Sequence, residues 1–180
     1  MSTAARSPLS RLLLLLAVLA ACIAVDQATK IVARAALVEG ERHSCCADTA
    51  RLQLAYNSGA FLSLGESLPK HARDLVFRGG VLLVLLGMSF YVVRARDMDD
   101  STLFAFALCI AGGGGNLIDR FVYDGAVLDF LNVGIGGLRT GIFNIADMYI
   151  MAGAGMLLLL EFRHARQRDS GAESDGSAGG

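Results

Sequence analysis

The amino-acid sequence predicts an integral membrane protein of the all-α class, with four transmembrane helices and a small extracytoplasmic β subdomain between helices 1 and 2. Of its 180 residues, 54% are hydrophobic and only 18% are charged, whereas soluble domains have about 45–50% apolar and about 25% charged residues. The 16 basic and 17 acidic residues leave a net charge of -1, which excludes a strongly basic nucleic-acid-binding protein.

Four stretches are long and apolar enough to cross a bilayer, whose hydrocarbon core requires about 20 mostly apolar residues per helix. They cover approximately residues 9–25, 75–93, 103–118 and 142–162. We therefore expect residues 1–162 to form a single four-span domain. An even number of spans places both chain termini on the same side of the membrane.

Basic residues next to the spans predict the orientation, because Lys and Arg are enriched in cytoplasmic segments. Seven arginines lie next to the spans on the side of the membrane that holds both termini. They precede span one or follow spans two and four: Arg6, Arg11, Arg94, Arg96, Arg163, Arg166 and Arg168. This side is predicted to be cytoplasmic, with both termini on it. Residues 163–180 are charged and then rich in Gly, Ser and Ala, which predicts a disordered cytoplasmic tail.

The loop between the first two spans, about residues 27–73, is predicted to be extracytoplasmic. It is long enough that its own basic residues count less toward orientation. From Arg51 to Asn57, apolar and polar side chains alternate with a period of two. This alternation predicts a short, half-buried strand.

The N-terminus has a second interpretation, because its basic residues and Leu run resemble a lipoprotein signal that ends in Leu19-Ala20-Ala21-Cys22. Cleavage there would discard residues 1–21. The apolar run continues through Cys22 to Val25, however, and three further spans make a lipid anchor redundant. We therefore expect the segment to stay as the first transmembrane helix.

Polar residues gather at the predicted outer ends of the spans, where a carboxylate costs a few kcal/mol, roughly 2.5–3.5, on insertion scales. They belong to span one, span three, the following link and span four: Asp26, Asn116, Asp119, Arg120, Asp129, Asn144 and Asp147. A purely structural explanation exists for most of them. Asp119 and Arg120 could pair with each other or with neighbours, and Asn144 could cap span four with Asp147 in its first turn.

Asp129 is harder to explain structurally, since it lies between Leu128 and Phe130. If Asp129 and Asp147 meet in a poorly hydrated site, both cannot ionise easily, and one proton is shared between them. Such a pair can activate water for attack on a carbonyl and then protonate the leaving amine.

Other chemistries have weak support in the sequence. The His43, Cys45, Cys46 and Asp48 cluster could resemble a metal site, but adjacent cysteines do not easily share one tetrahedral ion, and we expect no metal. A disulfide at Cys45 or Cys46 cannot be assigned. Gly112 to Gly115 are expected to allow close helix packing.

Five motifs, in order, resemble bacterial lipoprotein signal peptidase, also called signal peptidase II. They are Asp26-Gln27-Ala28-Thr29-Lys30, Asn57-Ser58-Gly59-Ala60-Phe61, Gly115-Asn116-Leu117-Ile118-Asp119-Arg120, Val127-Leu128-Asp129-Phe130 and Phe143-Asn144-Ile145-Ala146-Asp147. Each motif is short, but five in this order are specific. The resemblance covers about residues 10–162.

The resemblance implies a multi-pass aspartic endopeptidase of the bacterial inner membrane with its active site at the periplasmic face. Its substrates are diacylglyceryl-modified prolipoproteins in the membrane lipid, cut just before the lipidated Cys. By similarity, Asp129 and Asp147 are catalytic, and four residues bind substrate: Asn57, Asn116, Arg120 and Asn144. Four more support the site: Asp26, Lys30, Gly59 and Asp119. The resemblance also implies no cofactor, inhibition by globomycin-type compounds and, we expect, a monomer.

Phe61 and Leu62 depart from the family pattern Asn-x-Gly-Ala-Ala-Phe-Ser, which affects the expected fit of substrate and inhibitor. Two other functional classes remain as alternatives. A transporter would place polar residues near the bilayer midplane and show an inverted repeat. A non-catalytic scaffold would keep its function without either Asp129 or Asp147.

Overall fold

The computed structural model describes residues 8–58, 69–95 and 98–176. Its helices are α1 (Pro8–Ala36), α2 (Lys70–Asp74), α3 (Val81–Arg94), α4 (Asp100–Val122) and α5 (Ile145–Gly176), and a π-helical turn, Leu75–Gly80, joins α2 to α3. In the described chain, four helical segments are long and apolar enough to cross a membrane: Leu9–Ala36, Lys70–Arg94, Asp100–Val122 and Ile145–Gln167. The predicted fold class and the four spans are confirmed.

The first helix is longer than the sequence predicts, since it continues past Val25 to Ala36. The non-helical part of the connection to the second span therefore starts after Ala36, and the start of the extracytoplasmic loop at about residue 27 stays a prediction. Residues four apart lie on the same side of a helix. Asp26 and Lys30 form an ion pair there, so their charges are compatible with a helix that continues past them.

Helix α4 is central and packs against α1, α3 and α5. The glycine run makes this packing possible. A Cβ on Gly112 would overlap the carbonyl oxygen of Ala146, and a Cβ on Gly115 would lie 2.5 Å from Asp26 Oδ2. These glycines therefore bring α4 against α1 and α5, as the sequence predicts for this run.

The described residues form a four-stranded antiparallel sheet in the order β1-β2-β3-β4. Its strands are β1 (His43–Cys45), β2 (Ala50–Asn57), β3 (Val127–Ile135) and β4 (Leu138–Arg139). Strand β2 confirms the predicted strand. The structure adds β3 and β4 from the segment between α4 and α5, which the sequence treats as a short link. Register pairs Asp129 with Ala55 and Val127 with Asn57, so the sheet brings two predicted site residues close together.

The last helix, α5, continues past the predicted end of span four at residue 162 to Gly176, while the disordered cytoplasmic tail predicted for residues 163–180 stays a prediction. A helix that is already nucleated by the membrane span propagates at little cost. Ala165, Arg166 and Gln167, which follow the apolar segment, are good helix formers. Residues 177–180 lie outside the described chain.

Candidate active site

Five elements bring the predicted polar residues together. Asp129 lies on β3, Asn57 ends β2, Asn144 directly precedes α5, and Asp147 lies in its first turn. The remaining ones come from α1 and α4: Asp26, Lys30, Asn116, Asp119 and Arg120. Gly59, the other predicted supporting residue, lies outside the described residues, as do Phe61 and Leu62.

Asp129 is buried, with 2% of its surface exposed. Its two carboxylate oxygens accept hydrogen bonds from Asn144 Nδ2 at 2.6 Å and from Asn57 Nδ2 at 3.1 Å. Burial and the nearby Asp147 carboxylate raise the pKa of Asp129 to about 7, although both amide donors and Lys30 act in the opposite direction. Asp129 is therefore a carboxyl group that can hold a proton near neutral pH.

Asp147 and Asn144 form a reciprocal cap at the start of α5. The backbone N–H of Asn144 donates to Asp147 Oδ2 at 3.1 Å, and the backbone N–H of Asp147 donates to Asn144 Oδ1 at 3.0 Å. This is the geometry of a capping box. The structural explanation for these two residues is thus correct, and it also serves the site, because the Asn144 side chain bonds both acids.

Asn116 links Asp147 to a buried cation. Its Nδ2 donates to Asp147 Oδ1 at 2.8 Å, while its Oδ1 accepts from Lys30 Nζ at 3.1 Å and from Asn144 Nδ2 at 3.0 Å. These three contacts determine which way the amide faces. The two acids and the two Asn side chains therefore form one continuous hydrogen-bonded group.

Lys30 is the centre of a buried ion cluster. Its ammonium lies 2.9 Å from Asp26 Oδ2 and 2.9 Å from Asp119 Oδ2, and the Lys30 side chain is 2% exposed. Two carboxylates around one ammonium are compatible with burial because each charge has partners. Asp119 thus pairs with Lys30 on α1, and the suggested pairing of Asp119 with its neighbour Arg120 is not what the structure contains.

The same two carboxylates bind the backbone next to the acids. Asp26 Oδ1 accepts from the N–H of Ala146 at 2.9 Å, and Asp119 Oδ2 accepts from the N–H of Leu128 at 3.0 Å. Each of these amides belongs to the residue immediately before one of the two acids, Asp147 or Asp129. The ion cluster therefore holds the backbone on which both acids are carried.

Gln27 is a site residue that the sequence reasoning did not select. Its Nε2 donates to Asp119 Oδ1 at 3.0 Å, to Asp26 Oδ2 at 3.1 Å and to the carbonyl oxygen of Gly115 at 3.3 Å. A second polar side chain directly after Asp26, at the end of an apolar run, was the signal that could have identified it.

Arg120 is buried, at 8% exposure. Its Nη1 donates to the carbonyl oxygen of Asn116 at 3.2 Å, and its guanidinium interacts electrostatically with Asp147 and Asp129. The ring of Phe77 lies against the guanidinium, 5.8 Å from Cζ to the ring centroid. Arg120, in the last turn of α4, therefore supplies a second positive charge near the two acids.

Within residues 8–58, 69–95 and 98–176, no group of three or more His, Cys, Asp and Glu side chains could hold a metal ion. The chemistry available at this site is that of two carboxyl groups, amides and two cations. The absence of a cofactor remains a prediction.

A family model described as Signal peptidase (SPase) II matches residues 18–163. The chain belongs to the signal peptidase II family. A lipoprotein signal peptidase of Bifidobacterium adolescentis is 39% identical over 146 residues, which is 78% of this chain and 72% of the relative. One from Treponema denticola is 31% identical over 156 residues, 82% of this chain and 90% of the relative.

Solved structures support the fold. A bacterial membrane enzyme determined by the in meso method at 2.3 Å resolution superposes with a TM-score of 0.74 at 22% identity, covering 84% of this chain and 88% of that one. A second, determined at 1.9 Å, gives a TM-score of 0.70 at 24% identity, covering 81% of this chain and 90% of that one. With the family assignment, the chain is a multi-pass membrane enzyme, a signal peptidase II that removes signal peptides from lipoproteins.

Proposed function

We propose that this enzyme cleaves diacylglyceryl-modified prolipoproteins just before the lipidated Cys, with water activated by Asp129 and Asp147. The observation that carries the proposal is the joining of these two acids through the Asn144 side chain, which bonds Asp129 Oδ1 and accepts from the Asp147 N–H. Asn144 also donates to Asn116, which in turn donates to the Asp147 carboxylate, so hydrogen bonds link the two carboxyl groups. We infer that this pair shares one proton and acts as acid and base in turn.

Asp129 starts as the proton donor in this mechanism, which the raised pKa of Asp129 supports. Asp147 removes a proton from water while the water oxygen bonds to the carbonyl carbon, and Asp129 donates its proton to the carbonyl oxygen. The tetrahedral intermediate then breaks its C–N bond, and the proton on Asp147 goes to the leaving amine. As the C=O bond re-forms, Asp129 takes back a proton from a hydroxyl group of the intermediate. The pair ends with one proton, as it began.

Substrate contacts are assigned to Asn57, Asn116, Arg120 and Asn144. Their amides and guanidinium can pair with peptide groups that are costly to desolvate without partners. Asn116 and Asn144 also hold the acids, so their loss would disturb the acids as well. Asn57 also donates to Asp129. Arg120, whose described hydrogen bond goes to the Asn116 carbonyl oxygen, is therefore the more informative position for testing substrate binding.

The substrate's acyl chains stay in the bilayer, so the scissile bond lies at the membrane surface. This supports an active site at the periplasmic face of the bacterial inner membrane, with both termini cytoplasmic. We further propose that the enzyme acts as a monomer and binds globomycin-type inhibitors.

The test uses purified full-length enzyme in lipid, a diacylated prolipoprotein, a gel-shift readout and mass determination of the released peptide. Wild type should release a peptide that ends before the lipidated Cys, and it should leave the non-lipidated precursor intact. Asp129→Asn and Asp147→Asn should each lose at least about a hundredfold in rate. Asp100→Asn, at the opposite end of α4, is the matched control and should retain activity. Cleavage that survives both Asn substitutions would assign catalysis to other groups.

A further inference from the structure

Two arginine–aromatic pairs join the π-helical turn of the second span to the last turn of α4. Phe77 lies under the guanidinium of Arg120, with 5.8 Å from Cζ to the ring centroid. Its neighbour Arg78 lies over the ring of Phe121 at 5.7 Å. Consecutive residues on one element thus contact consecutive residues on the other, with the aromatic and cationic partners exchanged.

The backbone on both sides of this junction is held in place. Arg78 lies 3.6 Å from Asp74, the last residue of α2, and 3.6 Å from Asp124, just after α4. Asp124 has a left-handed φ of 50°, which is uncommon for a residue other than glycine. π-helical turns are rare and occur frequently at functional sites. This one places Phe77 against the residue that carries positive charge to the two acids.

We propose that Phe77 is a positioning residue, which fixes the guanidinium of Arg120 for substrate binding. This inference rests on the proposed function, in which Arg120 contacts the peptide. A guanidinium stacked by its face on an aromatic ring keeps its N–H donors in the plane, directed away from the ring. One of them bonds the Asn116 carbonyl oxygen, and the proposal assigns the others to the peptide.

The positioning is needed because an arginine side chain is long and has many rotamers, and only some of them direct its donors toward the acids. The electrostatic contacts of Arg120 with Asp147 and Asp129 attract the guanidinium to the site but do not set the orientation of its plane. The ring of Phe77 sets that orientation.

Phe77→Leu tests the role, because it keeps an apolar side chain and removes the aromatic face. Loss of a partly desolvated cation–π contact corresponds to about a five- to thirtyfold effect. We expect KM for the diacylated prolipoprotein to rise by about this factor, with kcat changed by less than about twofold. Phe77→Tyr should restore KM, because it restores the aromatic face.

Phe90→Leu is the matched control. Phe90 stacks on Arg94 at 5.3 Å, so the substitution removes the same kind of contact from the other end of the same span. It should leave KM and kcat unchanged. A variant with both Arg120→Lys and Phe77→Leu should be no worse than Arg120→Lys alone, because the lysine has no planar group to orient.

A lower kcat with unchanged KM in Phe77→Leu, failure of Phe77→Tyr to restore KM, or additive losses in the double variant would overturn the proposal in favour of a general packing role. A measurement without substrate separates this proposal from the proposed function. In arginine-labelled enzyme, the ring of Phe77 should shift the NMR signal of the Arg120 Nε–H, and Phe77→Leu should abolish that shift. An inactive wild type that shows the shift would refute the proposed function, whereas an active wild type without it would refute the role of Phe77.

Discussion

The carboxylate of Asp119 accepts a hydrogen bond from the backbone N–H of Leu128, at 3.0 Å, and Leu128 directly precedes Asp129. The same relationship recurs between Asp26 and Ala146, the residue before Asp147. Both supporting carboxylates form ion pairs with the ammonium of Lys30. One buried cation therefore holds in place the two backbone contacts that set the positions of the acids.

Lys30→Met should destabilise the protein by about 3–5 kcal/mol, because it leaves Asp26 and Asp119 buried without their cation. The measurement is thermal and denaturant unfolding in detergent at neutral pH. Lys70→Met is the control: Lys70 also pairs with an aspartate, but its side chain is 55% exposed, and such surface pairs contribute at most about 1 kcal/mol. Equal losses of unfolding free energy in the two variants would contradict the importance assigned to the buried ion cluster.

Gly115→Ala should destabilise the enzyme by about 1–3 kcal/mol and lower its activity. The added Cβ would lie 2.5 Å from Asp26 Oδ2 and 3.4 Å from the Cβ of Ala146, so it would push on the ion cluster and on the start of α5. Gly114→Ala is the control, since its Cβ would make an ordinary contact of 3.5 Å with Ile23 and alanine favours the helix. Comparing Tm and rate for the two variants tests the prediction, and a more stable Gly115→Ala would contradict it.

Activity should decline above about pH 7, because Asp129 must hold a proton and its pKa is raised to about 7. Asn57 donates to the Asp129 carboxylate and so favours the ionised form. Asn57→Ala removes that donor, so the pKa of Asp129 should rise further and the alkaline limb of kcat/KM should move to higher pH by up to about one unit. The pH profiles of both enzymes test this, and a shift to lower pH would be the wrong sign.

Asp129→Asn should be more stable than wild type at and above pH 7, by up to about 4 kcal/mol. In the unfolded chain Asp129 ionises near about pH 4, whereas in the folded chain its pKa is about 7. The stability that this group contributes is therefore present below about pH 4 and is lost as the pH rises to about 7. Asn resembles the protonated acid and shows no such loss. Unfolding curves of both proteins at pH 4 and pH 7.5 give the difference in their free energies of unfolding. A difference that does not increase with pH would contradict the prediction.

Much of the fold could be predicted from the sequence because four apolar runs and the alternating residues around Leu54 have clear physical signatures. Strand β3 could not be predicted in this way, since its first four residues are all buried. A strand buried on both faces reads as a continuous apolar run without alternation. The Val127-Leu128-Asp129-Phe130 segment therefore looked like part of a link.

The sequence could predict that these polar residues come together, but it could not predict how they pair. Asp119 and Arg120 are adjacent in sequence, yet neighbouring residues on a helix point in different directions. Asp119 faces Lys30, and Arg120 faces Phe77. These partners lie on other elements, so only the packing of α4 against its neighbours could reveal them.

The spacing of Asp26 and Lys30, four residues apart on α1, has a consequence for biogenesis. Because the two charges compensate each other within one helix, α1 can enter the bilayer with its ion pair complete before the ribosome has made α4. Asp119 then arrives as the third member and adds one net negative charge to a pair that was already neutral. The first span thus carries the counterion of Asp26 within its own sequence, and α4 completes the cluster with Asp119.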